Sequence, residues 1–253
     1  PPPPPPPPLS SAASDVYKRQ TPNGRSVELT QADWLAPVEP RQFLGLWNNF
    51  HERREVEGTL MPDFPLFFVK LPGCLTAHEC SIGLPQDFQG SAKFEAELGI
   101  VIGRPCHQAT ASEVDEAIFG YTCVNDVTAR DLQYGDRQFV RGKSLDTFCP
   151  MGPAVVTRDE LPDPGSLAVR SWRNDELMQE SNTSHLIFDV PYLVSFCSQA
   201  FTLLPGDVIC TGTPSGVGYF REPKVLMGDG DVMSVEVEGV GRLTNPCREL
   251  GRG

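Results

Sequence analysis

The sequence predicts a mainly β protein of the α+β class, with short helices at its periphery. Short runs rich in β-branched and aromatic residues alternate with glycine and proline along most of the chain. Helical patterns are few, and strands do not alternate regularly with long helices, so a doubly wound parallel sheet is disfavoured. A chain of 253 residues can bury a sizeable core, and we expect one domain over residues 25–250.

Each element is predicted from its local pattern. Strands are expected where apolar residues alternate or run unbroken between turn residues, at 41–46, 66–70, 95–102, 120–124, 154–157, 167–172, 207–211 and 231–238. Helices are expected where apolar residues recur at helical spacing, at 50–57, 112–118, 127–133 and 190–201. The last of these follows the start signal Asp189-Val190-Pro191. No internal repeat is visible.

The first twenty residues differ in character from the rest. Eight consecutive prolines, Pro1 to Pro8, favour an extended polyproline II conformation. The stretch LSSAASDVYKRQ that follows has neither the charged start nor the apolar middle of a signal peptide. SDVYKRQ also resembles a translated sequencing-adapter end. We expect residues 1–20 to be a disordered Pro-rich segment of artefactual origin, with a natural Pro-rich tail as the alternative.

Composition excludes several classes of partner. The formal net charge is -12 and the sequence pI is about 4.8, so nucleic acid and anionic membranes would be repelled. No apolar run approaches the roughly 18 residues that suggest a membrane span. Eight cysteines are scattered without a CxxC pair, which indicates small buried residues in a reducing compartment and disfavours structural zinc. We expect a cytoplasmic protein.

Two glutamates stand side by side on one predicted strand face. In KFEAELGIVIG, Phe94, Ala96, Leu98 and Ile100 would share an apolar face, and Glu95 and Glu97 the other. A generic ExE strand pattern usually marks a solvated face. VEVEG, with Glu236 and Glu238, has the same spacing in a late hairpin-like stretch and is interpreted as solvated. EAELGIVIG leads into a long apolar run and is interpreted as a central strand.

Three further stretches carry candidate functional residues. In GYTCVNDVTARDLQ, a helix from Val127 would place Asp126, Arg130 and Gln133 on one face; the alternative is an N-cap with a surface ion pair. In RGKSLDTFCPMGP, Lys143 is either an ordinary exposed lysine or part of a site. ICTGTPSGVG ends a strand in a Gly-rich turn whose N–H groups could hold a carboxylate or oxyanion. It lacks the phosphate-loop and dinucleotide signatures.

Taken in order, these stretches and the closing GDVMSVEVEGVGRLTN resemble the fumarylacetoacetate hydrolase family. The resemblance is strong from residue 65 to 245 and implies a mixed β-sandwich roll, commonly a homodimer, that binds Mg²⁺ or Mn²⁺. It implies metal ligation by Glu95, Glu97 and Asp126, and oxygen ligands would also allow Ca²⁺. It further implies a substrate site lined by Arg130, Gln133, Lys143, Gly212 and Thr213.

The resemblance implies a small 2-oxo or diketo acid as substrate and a metal-stabilised enolate assisted by Lys143. Hydrolytic C–C cleavage of an acylpyruvate- or fumarylacetoacetate-like substrate is the leading expectation. The alternatives are an isomerase or decarboxylase of 2-hydroxymuconate-type aromatic catabolism intermediates, and a non-catalytic binding relative. Three carboxylates, a divalent ion and Lys143 would together be neutral.

Hydrolysis in many relatives uses a histidine paired with a glutamate. GLWNNFHERREVEG offers His51 for this role, but arginine stands three residues later. Glu55, at i+4 on a helix, is the expected partner of His51, and Glu52 is a less favourable one. The alternative is a solvated helix with His51 as a surface residue. His78, His107 and His185 lie outside the matching stretches and are expected to be structural or surface residues.

Overall fold

The structure is a computed structural model that describes residues 18–20, 26–28, 33–86 and 92–251. The predicted disordered segment, residues 1–20, lies outside the described residues except for its last three. Those three form β1 (Lys18–Gln20), which pairs antiparallel with β2 (Ser26–Glu28). The predicted limits of the single domain, residues 25–250, stay a prediction.

The other strands, in chain order, are β3 (Phe43–Trp47), β4 (Leu66–Lys70), β5 (Leu75–Thr76), β6 (Ile82–Pro85), β7 (Ala92–Lys93), β8 (Ala96–Ile102), β9 (Ile118–Asn125), β10 (Thr128–Ala129), β11 (Cys149–Thr157), β12 (Ala168–Arg173), β13 (Glu176–Asn182), β14 (Val208–Cys210), β15 (Val232–Val237) and β16 (Gly241–Leu250). The helices are α1 (His51–Glu57), α2 (Ala111–Ala117), α3 (Arg130–Asp136), α4 (Val140–Lys143) and α5 (Val190–Ala200). The prediction of a mainly β chain with short helices is therefore confirmed.

Two mixed sheets pack face to face. The larger has the order β4-β3-β14-β8-β9-β11-β5, and the smaller has the order β13-β12-β15-β16-β6. Between them lies a core that includes Leu98 and Ile100 of the larger sheet and Val169 and Val235 of the smaller. Apolar side chains that alternate along each strand supply this core, because one face of each strand points to the opposite sheet.

Strand β8 occupies the centre of the larger sheet and is buried along its whole length. Ala96, Leu98 and Ile100 face the smaller sheet, as their alternation predicts, whereas Phe94 belongs to a second core cluster. The expectation that Phe94 shares their face is wrong, because β8 begins only at Ala96 and the strand alternation does not extend back to residue 94.

Among the strands of four or more residues, β6, β13 and β16 have no counterpart among the predicted elements. β13 reads ELMQESN and carries few apolar residues, and β16 contains Pro246 next to Asn245. Asn245 is nevertheless buried, because its amide donates hydrogen bonds to the carbonyl oxygens of Ala77 and Cys80. Hydrogen-bonded polar residues of this kind conceal a buried strand from a pattern search that relies on hydrophobicity.

All eight cysteines are free, and seven of them are buried, as the sequence predicts. Over the part of the chain that the structure describes, no helix combines the length and the apolar character needed to cross a membrane.

Candidate metal and substrate site

Three buried carboxylates converge where β8 begins and β9 ends. One oxygen from each of Glu95, Glu97 and Asp126 lies within 4.8 Å of the other two. The antiparallel pairing of Ala96 with Asn125 brings the two chain segments together. The Asp126 N–H donates to the Glu95 carbonyl at 2.9 Å, and the Glu95 N–H donates to Asn125 Oδ1 at 3.0 Å. The strand register therefore places Asp126 in one cluster with Glu97 and Glu95, which are 29 and 31 positions before it.

Two buried lysines hold Asp126. Lys143 Nζ donates to Glu95 Oε2 at 2.6 Å and makes a still shorter contact with Asp126 Oδ2. Lys70 Nζ donates to the other Asp126 oxygen at 2.6 Å and to the Phe148 carbonyl at 3.0 Å. Burial alone would lower the pKa of Lys70, but the nearby Asp126 carboxylate raises it above the ordinary lysine value. Lys70 is therefore a charged partner of the cluster, and Lys143 is a second hydrogen-bond donor to it.

The remaining oxygen of Glu95 has two more cationic partners. Lys93 Nζ makes a short contact with Glu95 Oε1, and Arg53 Nη2 lies 3.2 Å from the same oxygen. Arg53 Nε also donates to Glu57 Oε1 at 2.6 Å. Burial lowers the pKa of Lys93 to about 7; Glu95 opposes this shift, and the positive charges of Arg53 and Lys143 add to it.

Glu97 has fewer partners than the other two carboxylates. Its Oε2 accepts a hydrogen bond of 2.9 Å from the Gly212 N–H. Burial, together with the negative charges of Asp126 and Glu95, raises the pKa of Glu97 well above its usual range, although Lys143 opposes the shift. Gly212 has a φ of +88°, a conformation that a residue with a Cβ rarely adopts. The Gly-rich turn after β14 thus aims a backbone N–H at the cluster.

The chemistry of this donor set fits a hard divalent cation. The three side chains offer only oxygen ligands, as Mg²⁺, Mn²⁺ and Ca²⁺ prefer. Two carboxylates roughly 4 Å apart repel each other by about 4 kcal/mol at an effective dielectric near 20. Burial, and after it the charges of Asp126 and Glu95, raise the pKa of Glu97, so the local lysines do not offset all of this repulsion. A divalent cation bound by Glu95, Glu97 and Asp126 would relieve it.

The charge around the cluster differs from the expected neutral sum. That sum counted three carboxylates, one divalent ion and Lys143 as the single cationic side chain. The structure adds buried Lys70, Lys93 and Arg53, and the carboxylate of Glu57 beside Arg53. With these groups ionised, the side chains balance one another before any metal binds. A divalent cation then makes the site positive, because the three added cationic side chains outnumber the one added carboxylate.

Arg130 and Gln133 lie next to each other on α3, as expected. Arg130 Nη1 donates to Gln133 Oε1 at 2.7 Å, and Nη2 donates to the Tyr134 hydroxyl at 2.7 Å. The guanidinium also lies over the rings of Tyr134, Tyr219 and Phe220, at 4.4, 5.5 and 5.3 Å from their centroids. Arg130 Nε is buried and has no hydrogen-bond partner among the described residues.

Asp126 does not share a helix with Arg130, contrary to the sequence-based expectation. Helix α3 begins at Arg130 and not at residue 127, and Ala129 occupies its N-cap without a side-chain hydrogen bond. Residues 128 and 129 instead form β10, which pairs with β7. Asp126 reaches the cluster because it follows strand β9, and the helical spacing of 126, 130 and 133 plays no part.

Thr213 is buried in the turn that also carries Gly212. Its hydroxyl accepts a hydrogen bond of 2.8 Å from Gln179 Nε2, which also donates to the Pro214 carbonyl at 3.0 Å. Gln179 Oε1 in turn accepts from the Ala96 N–H at 3.0 Å. This glutamine of β13 therefore ties the Gly-rich turn to the start of β8, beside the three carboxylates.

The structure does not bring His51 and Glu55 to the carboxylate cluster. Both are exposed on α1, and Glu55 forms a 3.7 Å ion pair with Arg54. Residues two apart on a helix point in different directions, and it is Arg53 that turns inward and reaches Glu95. The expected acid–base pair of His51 and Glu55 is therefore not supported, because its place beside the cluster is taken by an arginine.

The two ExE pairs differ as their contexts predict. Glu95 and Glu97 are each at most 2 % exposed. Glu238 is exposed, and its Oε2 accepts from the Ala168 N–H at 3.0 Å, while Glu236 is half-buried beside Arg170. Glu238 therefore serves as an internal control for the buried pair.

Four residues of this site were missed by the sequence analysis: Arg53, Lys70, Lys93 and Gln179. A usable signal existed for Lys70, because it continues the buried alternation of β4 after Phe68. Lys93 stands two residues before Glu95, a spacing that suggests a shared side of an extended chain. Nothing in the local pattern singles out Arg53 or Gln179, whose partners come from distant strands.

Comparison with known proteins agrees with this geometry. Residues 38–248 match the family model "Fumarylacetoacetate (FAA) hydrolase C-terminal". The chain is 37% identical to an oxaloacetate tautomerase of Xenopus laevis, over 84% of this chain and 67% of that protein.

Two solved structures are similar over nearly all of the chain. The 5-carboxymethyl-2-hydroxymuconate delta-isomerase of Mycobacterium smegmatis has a TM-score of 0.80 and 41% identity, covering 90% of this chain and 87% of that one. The maleylpyruvate hydrolase of Sphingobium sp. SYK-6, in complex with manganese(II) and pyruvate, has a TM-score of 0.77 and 31% identity, covering 91% and 79%. The chain therefore belongs to the fumarylacetoacetate hydrolase family.

Proposed function

We propose that this protein is a divalent-metal-dependent enzyme that moves a proton between the keto and enol forms of a small 2-oxo dicarboxylic acid. The observation that carries the proposal is the buried cluster of Glu95, Glu97 and Asp126 with Lys143 bonded to two of its members. Oxygen-only ligands support Mg²⁺ or Mn²⁺ as the cation, with Ca²⁺ as a weaker candidate. The Mn²⁺ of the maleylpyruvate hydrolase neighbour supports the same choice.

When bound, the cation would supply Lewis-acid stabilisation of negative charge that develops on the substrate's 2-oxo oxygen. Glu95, Glu97 and Asp126 would hold it. Lys143 is buried and would keep its ammonium beside the same oxygen, where a positive charge in a site shielded from water is most effective. Lys70 fixes the second oxygen of Asp126 and so keeps that ligand in one orientation.

The surplus of positive charge favours a substrate with two carboxylates. With a divalent cation bound, the buried cationic side chains outnumber the free carboxylates, and Arg130 adds a further charge near Lys93. A dianion would neutralise more of this charge than an acylpyruvate monoanion does. The oxaloacetate tautomerase and the 5-carboxymethyl-2-hydroxymuconate isomerase, which are named for substrates with two and three carboxylates, support this direction.

Arg130 and Gln133 would orient the substrate's distal carboxylate. The unpartnered Nε of Arg130 is a buried donor, and such a donor is costly unless a ligand satisfies it. Thr213 lies in the Gly-rich turn whose Gly212 N–H holds Glu97, and its hydroxyl would orient the 1-carboxylate end.

Hydrolytic C–C cleavage is the second candidate. It is favoured by the 31% identity to a maleylpyruvate hydrolase over 91% of the chain. It needs a group that activates water, and the exposed positions of His51 and Glu55 do not supply one at the cluster. Proton transfer requires no attacking water, and we therefore place it first.

The test follows enol oxaloacetate by its ultraviolet absorbance and, in parallel, pyruvate release from acetylpyruvate, each with Mg²⁺ or Mn²⁺ and then with chelator. We expect metal-dependent loss of the enol and slower pyruvate release. Fast pyruvate release would favour the hydrolase. Binding of both acids without turnover of either would instead indicate a non-catalytic relative.

We also propose that the protein forms a homodimer. The outer side of the edge strand β4 exposes Phe67 and Val69, and Phe64 and Leu71 extend the apolar surface beyond its two ends. An uncovered edge strand of this kind is a template for pairing with another chain. Light scattering should give twice the chain mass, and Val69→Lys should shift the protein toward the monomer.

A further inference from the structure

A cavity of about 730 Å³ lies between α2, the turn that follows β11 and the start of α5. None of the residues that line it belongs to the carboxylate site. Its volume is within the range of roughly 300–1,000 Å³ that small-molecule sites occupy. The cavity is therefore large enough to hold a ligand of its own.

A buried tyrosine lines this cavity with a hydroxyl that has no hydrogen-bond partner among the described residues. Tyr121 is 4% exposed and belongs to β9. Burial raises the pKa of Tyr121 to about 12; the negative charges of Asp115 and Asp163 add to this shift, and Arg158 opposes it. These three charged residues line the same cavity, so the hydroxyl lies among them. A buried polar group without a partner is costly, and a ligand in the cavity would satisfy it.

The cavity is acidic. Four aspartates line it: Asp115, Asp159, Asp163 and Asp189. Asp163 Oδ1 and Asp189 Oδ1 each accept a backbone N–H at 2.9 Å, which leaves the second oxygen of each without a partner among the described residues. A hydrogen bond from Thr157 holds the pKa of Asp159 below its usual value, and the charge of Arg158 adds to this effect. Four carboxylates and one guanidinium give a net charge of -3, and Arg158 offsets Asp159.

The carboxylates of the cavity are too far apart to hold one metal ion. Among the described residues, the metal site is the one place where three acidic side chains bring oxygens within 4.8 Å of one another. The cavity therefore presents separate negative charges. The buried side chains of Ile118, Leu186 and Val190 add apolar surface to its lining. Separate acceptors with apolar surface among them suit a chain of methylenes that carries several ammonium groups.

Hydrogen bonds hold one wall of the cavity in place. The Thr183 hydroxyl donates to the Pro164 carbonyl at 2.7 Å and accepts from the Leu167 N–H at 2.8 Å. The Leu186 N–H donates to the Thr183 carbonyl at 3.1 Å. Thr183, Pro164 and Leu186 all line the cavity. This wall is therefore formed before any ligand binds, as is usual for small-molecule sites.

We propose that the cavity binds a linear aliphatic polyamine, with its ammonium groups at Asp115, Asp163 and Asp189 and its methylenes on the apolar surface. The Tyr121 hydroxyl oxygen accepts a hydrogen bond from one ammonium, which has donors only. A ligand with three positive charges neutralises the net charge of the cavity. This inference goes beyond the proposed function, and its test requires no turnover.

The test is isothermal titration calorimetry of the full chain with spermidine, a triamine. The buffer contains saturating Mg²⁺, which would fill the carboxylate site, and about 0.15 M salt, which screens exposed charges beyond about 8 Å. Wild type should bind one spermidine per chain. Tyr121→Phe should raise Kd about tenfold or more, because a hydrogen bond to a charged group is lost. n-Butylamine, with one ammonium group, should bind at least about tenfold more weakly than spermidine.

A matched pair of variants separates the cavity from the acidic surface in general. Asp115→Asn should raise Kd about threefold to fivefold, as the loss of an exposed ion pair does. Glu116→Gln removes the same charge from the next residue of α2, which does not line the cavity and pairs with Arg104 at 3.2 Å. This control should change Kd by less than about 1.5-fold, because its charge is paired and screened.

Four results would overturn the inference. They are no spermidine binding, an unchanged Kd in Tyr121→Phe, equal affinity for n-butylamine, and equal effects of Asp115→Asn and Glu116→Gln. The last result would mean that the acidic surface attracts the amine without a site. If Tyr121→Phe fails to fold, the comparison of Asp115→Asn with Glu116→Gln decides alone, since both positions are exposed on α2.

Discussion

Replacement of Lys70 by methionine should destabilise the protein strongly, although it removes no apolar contact. Lys70 is 1% exposed, and its ammonium bonds Asp126 at 2.6 Å and the Phe148 carbonyl at 3.0 Å. Methionine has similar length, so the change leaves a buried carboxylate with one cation fewer and a buried carbonyl without a donor. Breaking a buried ion pair in this way costs about 3–5 kcal/mol.

Lys143 still holds the other Asp126 oxygen, which places the expected loss in the lower part of that range. We expect Lys70→Met to lower the free energy of unfolding by about 3–4 kcal/mol. For a chain of this length, each kcal/mol corresponds to roughly 2–4 °C in Tm, so Tm should fall by about 6–16 °C.

The assay is urea unfolding with chelator present, read by fluorescence and circular dichroism, with Lys224→Met as the control. Lys224 is exposed and lies over the ring of Tyr219, an arrangement worth about 0.5–1 kcal/mol. A Lys70→Met loss no larger than that of Lys224→Met would refute the reasoning, because the buried ammonium would then contribute no more than a surface contact.

Three other predictions address separate parts of the structure. Glu97→Gln should abolish the rise in Tm that Mn²⁺ causes, and Glu238→Gln should preserve that rise. Equal Tm responses of the two variants in a thermal-shift titration would contradict the distinction between the buried and the exposed ExE pair. Gly142→Ala should reduce kcat at least tenfold, because the added Cβ would lie 2.8 Å from the Ala129 carbonyl oxygen and displace the adjacent Lys143. Wild-type kinetics in this variant would show that α4 can move away from the start of α3 without moving the lysine. Burial alone would raise the pKa of Asp231, but hydrogen bonds from nearby donors hold that pKa below its usual value. The ionised carboxylate therefore contributes to the free energy of unfolding above about pH 4, and this contribution is lost as the pH falls through the depressed pKa. Asp231→Asn should therefore cost about 1–2 kcal/mol at pH 7 and progressively less below pH 4 in urea unfolding; a cost that is constant with pH would argue against an ionised Asp231.

The carboxylate cluster could be predicted because the family resemblance implies these three ligands, and the apolar strands around them agree with it. Glu95 and Glu97 precede an unbroken buried run, and Asp126 follows another. The local apolar pattern was enough to place the strand of Glu95 and Glu97 in the centre of a sheet, and the convergence with Asp126 followed from the family resemblance. The helix predicted from residue 127 was wrong at its start. The spacing of Asp126 and Arg130 suits a helix as well as it suits a strand followed by a helix, and only the pairing of β10 with β7 decides between these two.

The surrounding cations could not be predicted in the same way. Lys93, Arg53 and Lys70 reach the cluster from three different elements, and burial of each is favourable only because a carboxylate from elsewhere compensates it. Local sequence carries no signal for pairs of this kind.

The most direct test of a divalent cation at the carboxylate cluster is diffraction from crystals soaked in Mn²⁺, with anomalous data collected at the manganese edge. The account predicts one strong anomalous peak per chain, bounded by oxygens of Glu95, Glu97 and Asp126, and its loss in Glu97→Gln. A map with no peak among these three carboxylates, while Lys93 and Lys143 keep all of their contacts to Glu95, would contradict it.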